Sequence, residues 1–127
     1  MGSIIDSFLF MPPNRQHVQS DNDIYVKTAH GNDILVRTII KDPSFLYLLI
    51  SHGNAEDVDS VYSWADDSLS KFSNVNIVMY EYTGYGNNAQ GYIPSEKYCY
   101  NDIEAVYQYL TEKMNIDPKR IILYGRS

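Results

Sequence analysis

The sequence has one cysteine, Cys99, in 127 residues. Neither an internal disulfide framework nor a cysteine-built metal site can form, and a reducing compartment is the simpler expectation. Basic residues are outnumbered, 10 against 16 acidic, which leaves a net charge of −6. Without a basic stripe, such a surface repels phosphates, so a nucleic-acid partner is not expected. No apolar run approaches the ~20 residues that cross a bilayer as a helix. The first residues lack the basic region and sustained apolar segment of a secretory signal. Neither His-x-x-x-His nor Cys-x-x-Cys occurs, and there is no P-loop. Gly84-Tyr85-Gly86 has Ala89 where a dinucleotide fingerprint needs its third glycine. No metal or cofactor is expected.

What is present reads as one small domain with a real core: 44% of residues are hydrophobic and 20% charged. Residues 1–23 form an N-terminal segment in which Ile4, Ile5, Phe8, Leu9, Phe10 and Met11 make a brief apolar stretch before Pro12-Pro13. That stretch either packs on the domain or rests at a membrane surface, and both readings stay open. Gly2 follows Met1 as myristoylation requires, but Asp6 occupies the place where the pattern wants Ser or Thr. The expected location is cytoplasmic, with peripheral membrane association as the alternative.

From residue 24 onwards the chain shows regular periodicity. Two runs with period-two alternation, around Ile24, Val26, Thr28 and around Ile34, Val36, Thr38, flank His30-Gly31-Asn32-Asp33 and predict a β-hairpin. Residues 45–50 are almost wholly apolar, as in a parallel strand covered on both faces. Val58, Val61, Tyr62, Ala65, Leu69 and Phe72 recur at helical spacing, leaving pairs such as Asp66-Asp67 to water. A strand over 75–82 follows, then a glycine-rich loop. A helix capped by Ser95 comes next, with Cys99, Ile103, Val106, Leu110 and Met114 as its predicted buried stripe. A last apolar strand starts at Ile121. Strands alternating with amphipathic helices specify an α/β fold, here an antiparallel hairpin leading into a parallel βαβαβ sheet over residues 24–127.

Chemistry is expected at the carboxyl edge of that sheet. The final strand runs into Gly125-Arg126-Ser127, the first half of a G-x-S-x-G nucleophile elbow, in which a sharp turn lifts the serine hydroxyl above the sheet. His-Gly-Asn occurs twice. At His30 to Asn32 it is a hairpin turn. At His52 to Asn54 it follows a buried parallel strand, where Gly53 allows close approach and the backbone N–H of Asn54 is suited to holding an oxyanion. His52 reads as a structural loop residue. The tyrosines read as core and rim packing.

Phe10-Met11-Pro12-Pro13-Asn14, Ser51-His52-Gly53-Asn54-Ala55-Glu56-Asp57, Tyr80-Glu81-Tyr82-Thr83-Gly84-Tyr85-Gly86, Pro94-Ser95-Glu96, Tyr100-Asn101-Asp102-Ile103 and Ile122-Leu123-Tyr124-Gly125-Arg126-Ser127 occur in this order. Together they resemble the alpha/beta-hydrolase domain-containing protein 17 family of serine hydrolases. The resemblance implies the N-terminal part of an alpha/beta-hydrolase fold and removal of palmitate from protein cysteines. It makes Ser127 the nucleophile and Asn54 an oxyanion donor, supported by Gly125, Gly53 and His52. The substrate would be an acylated protein, or a lipid or carboxylic ester as the alternative. Glu81 stands where that family has Asp, and the cysteine-rich N-terminus of its animal members has no counterpart here. The family order is Ser, then acid, then His, whereas His17, His30 and His52 all precede Ser127. The triad acid and base are therefore not expected among these residues, and residues 1–127 alone are expected to be inert. A short product that acts by binding is the competing reading from another class.

Overall fold

The computed structural model describes residues 22–71, 73–86 and 91–126. The expectations for the N-terminal apolar segment, Phe72, Ala89 and Ser127 lie outside the described residues. Five strands form one mixed sheet: β1 (Asp23–Lys27), β2 (Asp33–Ile39), β3 (Leu46–Ser51), β4 (Val75–Tyr80) and β5 (Ile121–Gly125), in the order β1-β2-β4-β3-β5. β1 and β2 are the predicted hairpin, with Lys27 opposite Asp33 across the turn. β2 also pairs antiparallel to β4, while β3 runs parallel to both β4 and β5.

Helix α1 (Val58–Trp64) starts at an Asp57 cap whose carboxylate accepts the Ser60 N–H, while the Ser60 hydroxyl receives the Asp57 N–H. This reciprocal box satisfies two donors that a helix start leaves open. The helix continues through wider π-type turns over Ala65–Ser70. Helix α2 (Glu96–Gln108) is capped by the Ser95 hydroxyl at the Tyr98 N–H and continues similarly over Tyr109–Lys113. It ends where Asn115 adopts a left-handed backbone (φ 55°), which asparagine tolerates better than most side chains.

The helices lie on opposite faces of the sheet. Val58, Val61 and Ala65 of α1 bury against Leu35, Leu48, Ile50, Ile77 and Met79. Ala105, Val106 and Leu110 pack against Val26, Ile34, Val36, Tyr47, Leu49, Val78 and Tyr80. With both faces covered, β2 departs from simple alternation, since Ile34, Leu35, Val36 and Arg37 are all buried.

One sequence expectation is corrected. The buried face of α2 is Tyr98, Asp102, Ala105, Val106 and Leu110, so Cys99, Ile103 and Met114 are only half-buried. The face is rotated because Asp102 turns inward to bind Thr83. β5 pairs with β3 at the sheet's edge, and Ile122, Leu123 and Tyr124 are exposed while Ile121 packs on the core.

Candidate active site

The chain leaves β3 for α1 on one face, returns through β4, and reaches β5 by way of α2 on the other face. β3 therefore stands between strands whose connections run on opposite sides. Open α/β sheets form a crevice beyond their strand ends at such a reversal. Here the carboxyl ends of β3 and β5 are neighbours, with Ser51 opposite Gly125 and the Arg126 N–H donating to the Ser51 carbonyl at 2.9 Å. The loop of Gly53 and Asn54 thus leaves the sheet beside the residues that lead into Ser127.

That loop is fixed from several directions. The Tyr85 hydroxyl lies 2.8 Å from both the carbonyl oxygen and the side-chain oxygen of Asn54. The Tyr82 hydroxyl donates to the His52 carbonyl at 2.6 Å, and the Ser51 and Tyr80 hydroxyls are 2.7 Å apart. Burial pushes the Tyr80 and Tyr82 phenols well above their usual range, so both stay protonated at neutral pH. Their rings, with that of Tyr85, form successive edge contacts beside His52. Sequence reasoning gave these tyrosines only a packing role. The missed signal was their position, at the end of β4 and in the loop after it, beside β3 in the sheet.

His52 is buried, with Nδ1 2.8 Å from the Gly53 carbonyl and Nε2 2.9 Å from Oε1 of the equally buried Glu81. The Nε2–Oε1 approach is close but is not directed as a hydrogen bond. The other Glu81 oxygen accepts the Val58 N–H at the start of α1. Close packing explains two glycines of this loop. Gly86 has φ 50°, and a Cβ there would stand 2.5 Å from Glu81 Oε2. Gly84 has φ 91°, and its Cβ would meet the Pro94 ring at 2.7 Å. Neither position accommodates a side chain.

Asp102 anchors this loop to α2. Its two oxygens accept the Thr83 N–H and hydroxyl, each at 2.7 Å. Desolvation by burial pushes its carboxyl up to about 6, against the lowering effect of those two hydrogen bonds. A chain of side-chain bonds continues from Thr83 through Asn32 to Thr28 in the hairpin turn.

Glu56, which the sequence reading passed over, lies between the two strand ends. Its Oε1 accepts the Gly53 N–H at 2.6 Å, and its carboxylate takes a forked contact from Arg126 at 3.1 and 2.9 Å. The Arg126 bond is the main cause that holds the Glu56 carboxyl below its usual range. Among the described residues no cluster of three or more His, Cys, Asp or Glu is arranged to hold a metal. A groove of about 510 Å3 between β1 and α2 is lined by Tyr25, Tyr109 and Lys113 among others, and by none of these strand-end residues.

No protein-family model matches the chain. The fold is that of the N-terminal part of an alpha/beta hydrolase. An esterase of Pyrococcus furiosus superposes with a TM-score of 0.65 at 16% identity, over 91% of this chain and 48% of that one. A lidless serine hydrolase of Xanthomonas campestris gives 0.64 at 15% identity, over 90% and 54%. By sequence the chain is similar to proteins named as alpha/beta hydrolases. It is 37% identical to a protein of Acanthamoeba polyphaga mimivirus named as an alpha/beta hydrolase, over 97% of this chain and 50% of that protein. It is 39% identical to human alpha/beta hydrolase domain-containing protein 17C, over 81% of this chain and 31% of that protein. The chain thus spans half or less of the length of these curated relatives.

Proposed function

We propose that this chain carries the nucleophile and one oxyanion donor of a serine hydrolase that cleaves thioesters, with the fatty-acylated cysteine of a protein as substrate. The observation that supports the reading is the pairing of β3 with β5. It brings the Gly53-Asn54 loop beside Gly125-Arg126, the residues that run into Ser127. Ser127 Oγ attacks the acyl carbonyl as its proton passes to a general base, and the Asn54 N–H stabilises the oxyanion. Collapse breaks the carbon–sulfur bond, and the departing thiolate takes the proton. Water then hydrolyses the acyl-serine by the reverse use of the same base.

In a protein of the relatives' length that base is a histidine beyond residue 127, oriented by a carboxylate. Relatives named as alpha/beta hydrolases support hydrolysis. The choice of a thioester rests on the resemblance to the domain-containing protein 17 branch. A cytoplasmic protein that meets acylated substrates at the membrane surface through its N-terminal segment agrees with that choice. The complete protein is expected to react with a fluorophosphonate probe and to lose that labelling in Ser127→Ala. It is expected to release palmitate from an S-palmitoylated peptide faster than from a monoacylglycerol or a short nitrophenyl ester. Labelling that survives Ser127→Ala refutes the nucleophile. Good lipid hydrolysis without thioester turnover refutes the substrate class.

A further inference from the structure

We infer that Glu56 and Arg126 form a positioning clamp that sets the spacing between the oxyanion loop and the backbone entering Ser127. The inference rests on the nucleophile reading above and adds two residues to it.

Arg126 is bonded directly to residue 127, so whatever fixes Arg126 fixes where the chain enters the elbow. Three contacts do so: its N–H reaches the Ser51 carbonyl, its guanidinium forks onto Glu56, and its cationic carbon lies 4.1 Å from the ring centre of Trp64 on α1. A planar guanidinium can make the fork and the stack together, which an ammonium group cannot. Glu56 is tied in turn to the other half of the site, because the oxygen that accepts Arg126 Nε also accepts the Gly53 N–H. One carboxylate therefore links the residue before the oxyanion donor to the residue before the nucleophile. It also commits the Gly53 N–H. A Cβ on Gly53 would stand 2.7 Å from Glu56 Oε1, so the close approach depends on that glycine.

Magnitudes separate a positioning role from a stabilising one. Both side chains are about a quarter exposed, and ion pairs in that setting contribute little to folding. A displacement of about 1 Å at reacting groups, by contrast, can cost orders of magnitude in rate.

The test measures hydrolysis of 4-nitrophenyl butyrate, Ser127 labelling and thermal unfolding in the complete protein, for Glu56→Gln, Arg126→Lys and Ser127→Ala. Both clamp variants are expected to lose about tenfold or more in kcat, with KM within roughly twofold. Their Tm should stay within about 2 °C of the parent. If kcat is retained in the two variants while Ser127→Ala abolishes labelling, the clamp is wrong and the nucleophile stands. If kcat and Tm fall together, the pair is structural and the inference is overturned. If Ser127→Ala still labels, it is the nucleophile reading that fails.

Discussion

Asp102 shows how a single buried side chain couples the loop after β4 to pH. Its carboxyl is raised to about 6 by desolvation, against 3.8 for an ordinary aspartate. Because the folded state holds this proton more tightly than the unfolded chain, the contribution favours folding fully below about pH 4. It is lost as pH rises through 6, a swing on the order of 2–3 kcal/mol. An asparagine at this position has an oxygen to accept the Thr83 N–H and an amide to donate to its hydroxyl, with no charge to bury. Asp102→Asn should therefore gain stability relative to the parent between pH 4.5 and 7, as read by urea unfolding at both values. Taking the difference cancels carboxylates such as Glu56 and Asp42, whose lowered values act in the opposite direction in both proteins. A parent-to-variant difference that does not change with pH would refute this account. The helical periodicity did not mark Asp102 as buried, since an aspartate among Tyr100, Asn101 and Glu104 looks like part of a solvated face. Only the loop packed above it makes burial tolerable.

Among the elements, the hairpin and α1 are joined by charge as well as by apolar packing. Arg37 in β2 is buried and bonds both Asp23 oxygens in β1, at 2.7 and 3.1 Å, and Asp59 in α1 at 2.9 Å, with Tyr62 beneath its guanidinium. Removing the cation leaves the fully buried Asp23 carboxylate without its main counter-charge. Arg37→Leu should cost roughly 3–5 kcal/mol, and adding Asp23→Leu and Asp59→Asn should recover most of the loss. A single-variant loss below about 1 kcal/mol in urea unfolding would show that water or other donors compensate the carboxylates. The elements themselves were legible in the sequence because their periodicities differ, two for the hairpin and near four for the helices. The caps at Asp57 and Ser95 mark the helix starts chemically. The covering of both faces of β2 was not legible. An arginine in an alternating strand reads as solvent-facing until its partners on two other elements are placed. Likewise the strand ends pointed to Gly53, Asn54 and Gly125 as candidate site residues, whereas the contacts of Glu56 and Tyr85 emerged only once β3, β4 and β5 stood side by side.

At the scale of the whole molecule, the sheet is protected unevenly. Among the described residues one edge is β1, a short strand carrying Lys27, which pairs with Asp33 at 3.2 Å. Such charges discourage pairing with another chain. The other edge is β5, which among the described residues pairs only with β3. It presents Ile122, Leu123 and Tyr124 at 43%, 60% and 40% exposure, with no charged residue between Ile121 and Gly125. The apolar hollow lined by Ile103, Tyr107 and Leu123 adjoins it. An apolar edge with open N–H and C=O groups, flanked by exposed apolar surface, is a template for strand addition. Residues 1–127 expressed by themselves are therefore expected to self-associate in sedimentation velocity and to bind a hydrophobic dye. Leu123→Lys should reduce both, because a charge on an edge strand opposes pairing while one exposed substitution leaves the core untouched. The surface supplies an independent reason to look at β5, since the net charge of −6 should keep copies of the chain apart at low salt. Association through this edge should consequently strengthen as salt screens that repulsion. A monomer at all salt concentrations, with a cooperative thermal transition and little dye binding, would show that β5 is adequately covered in residues 1–127 and that this part folds as a self-sufficient unit.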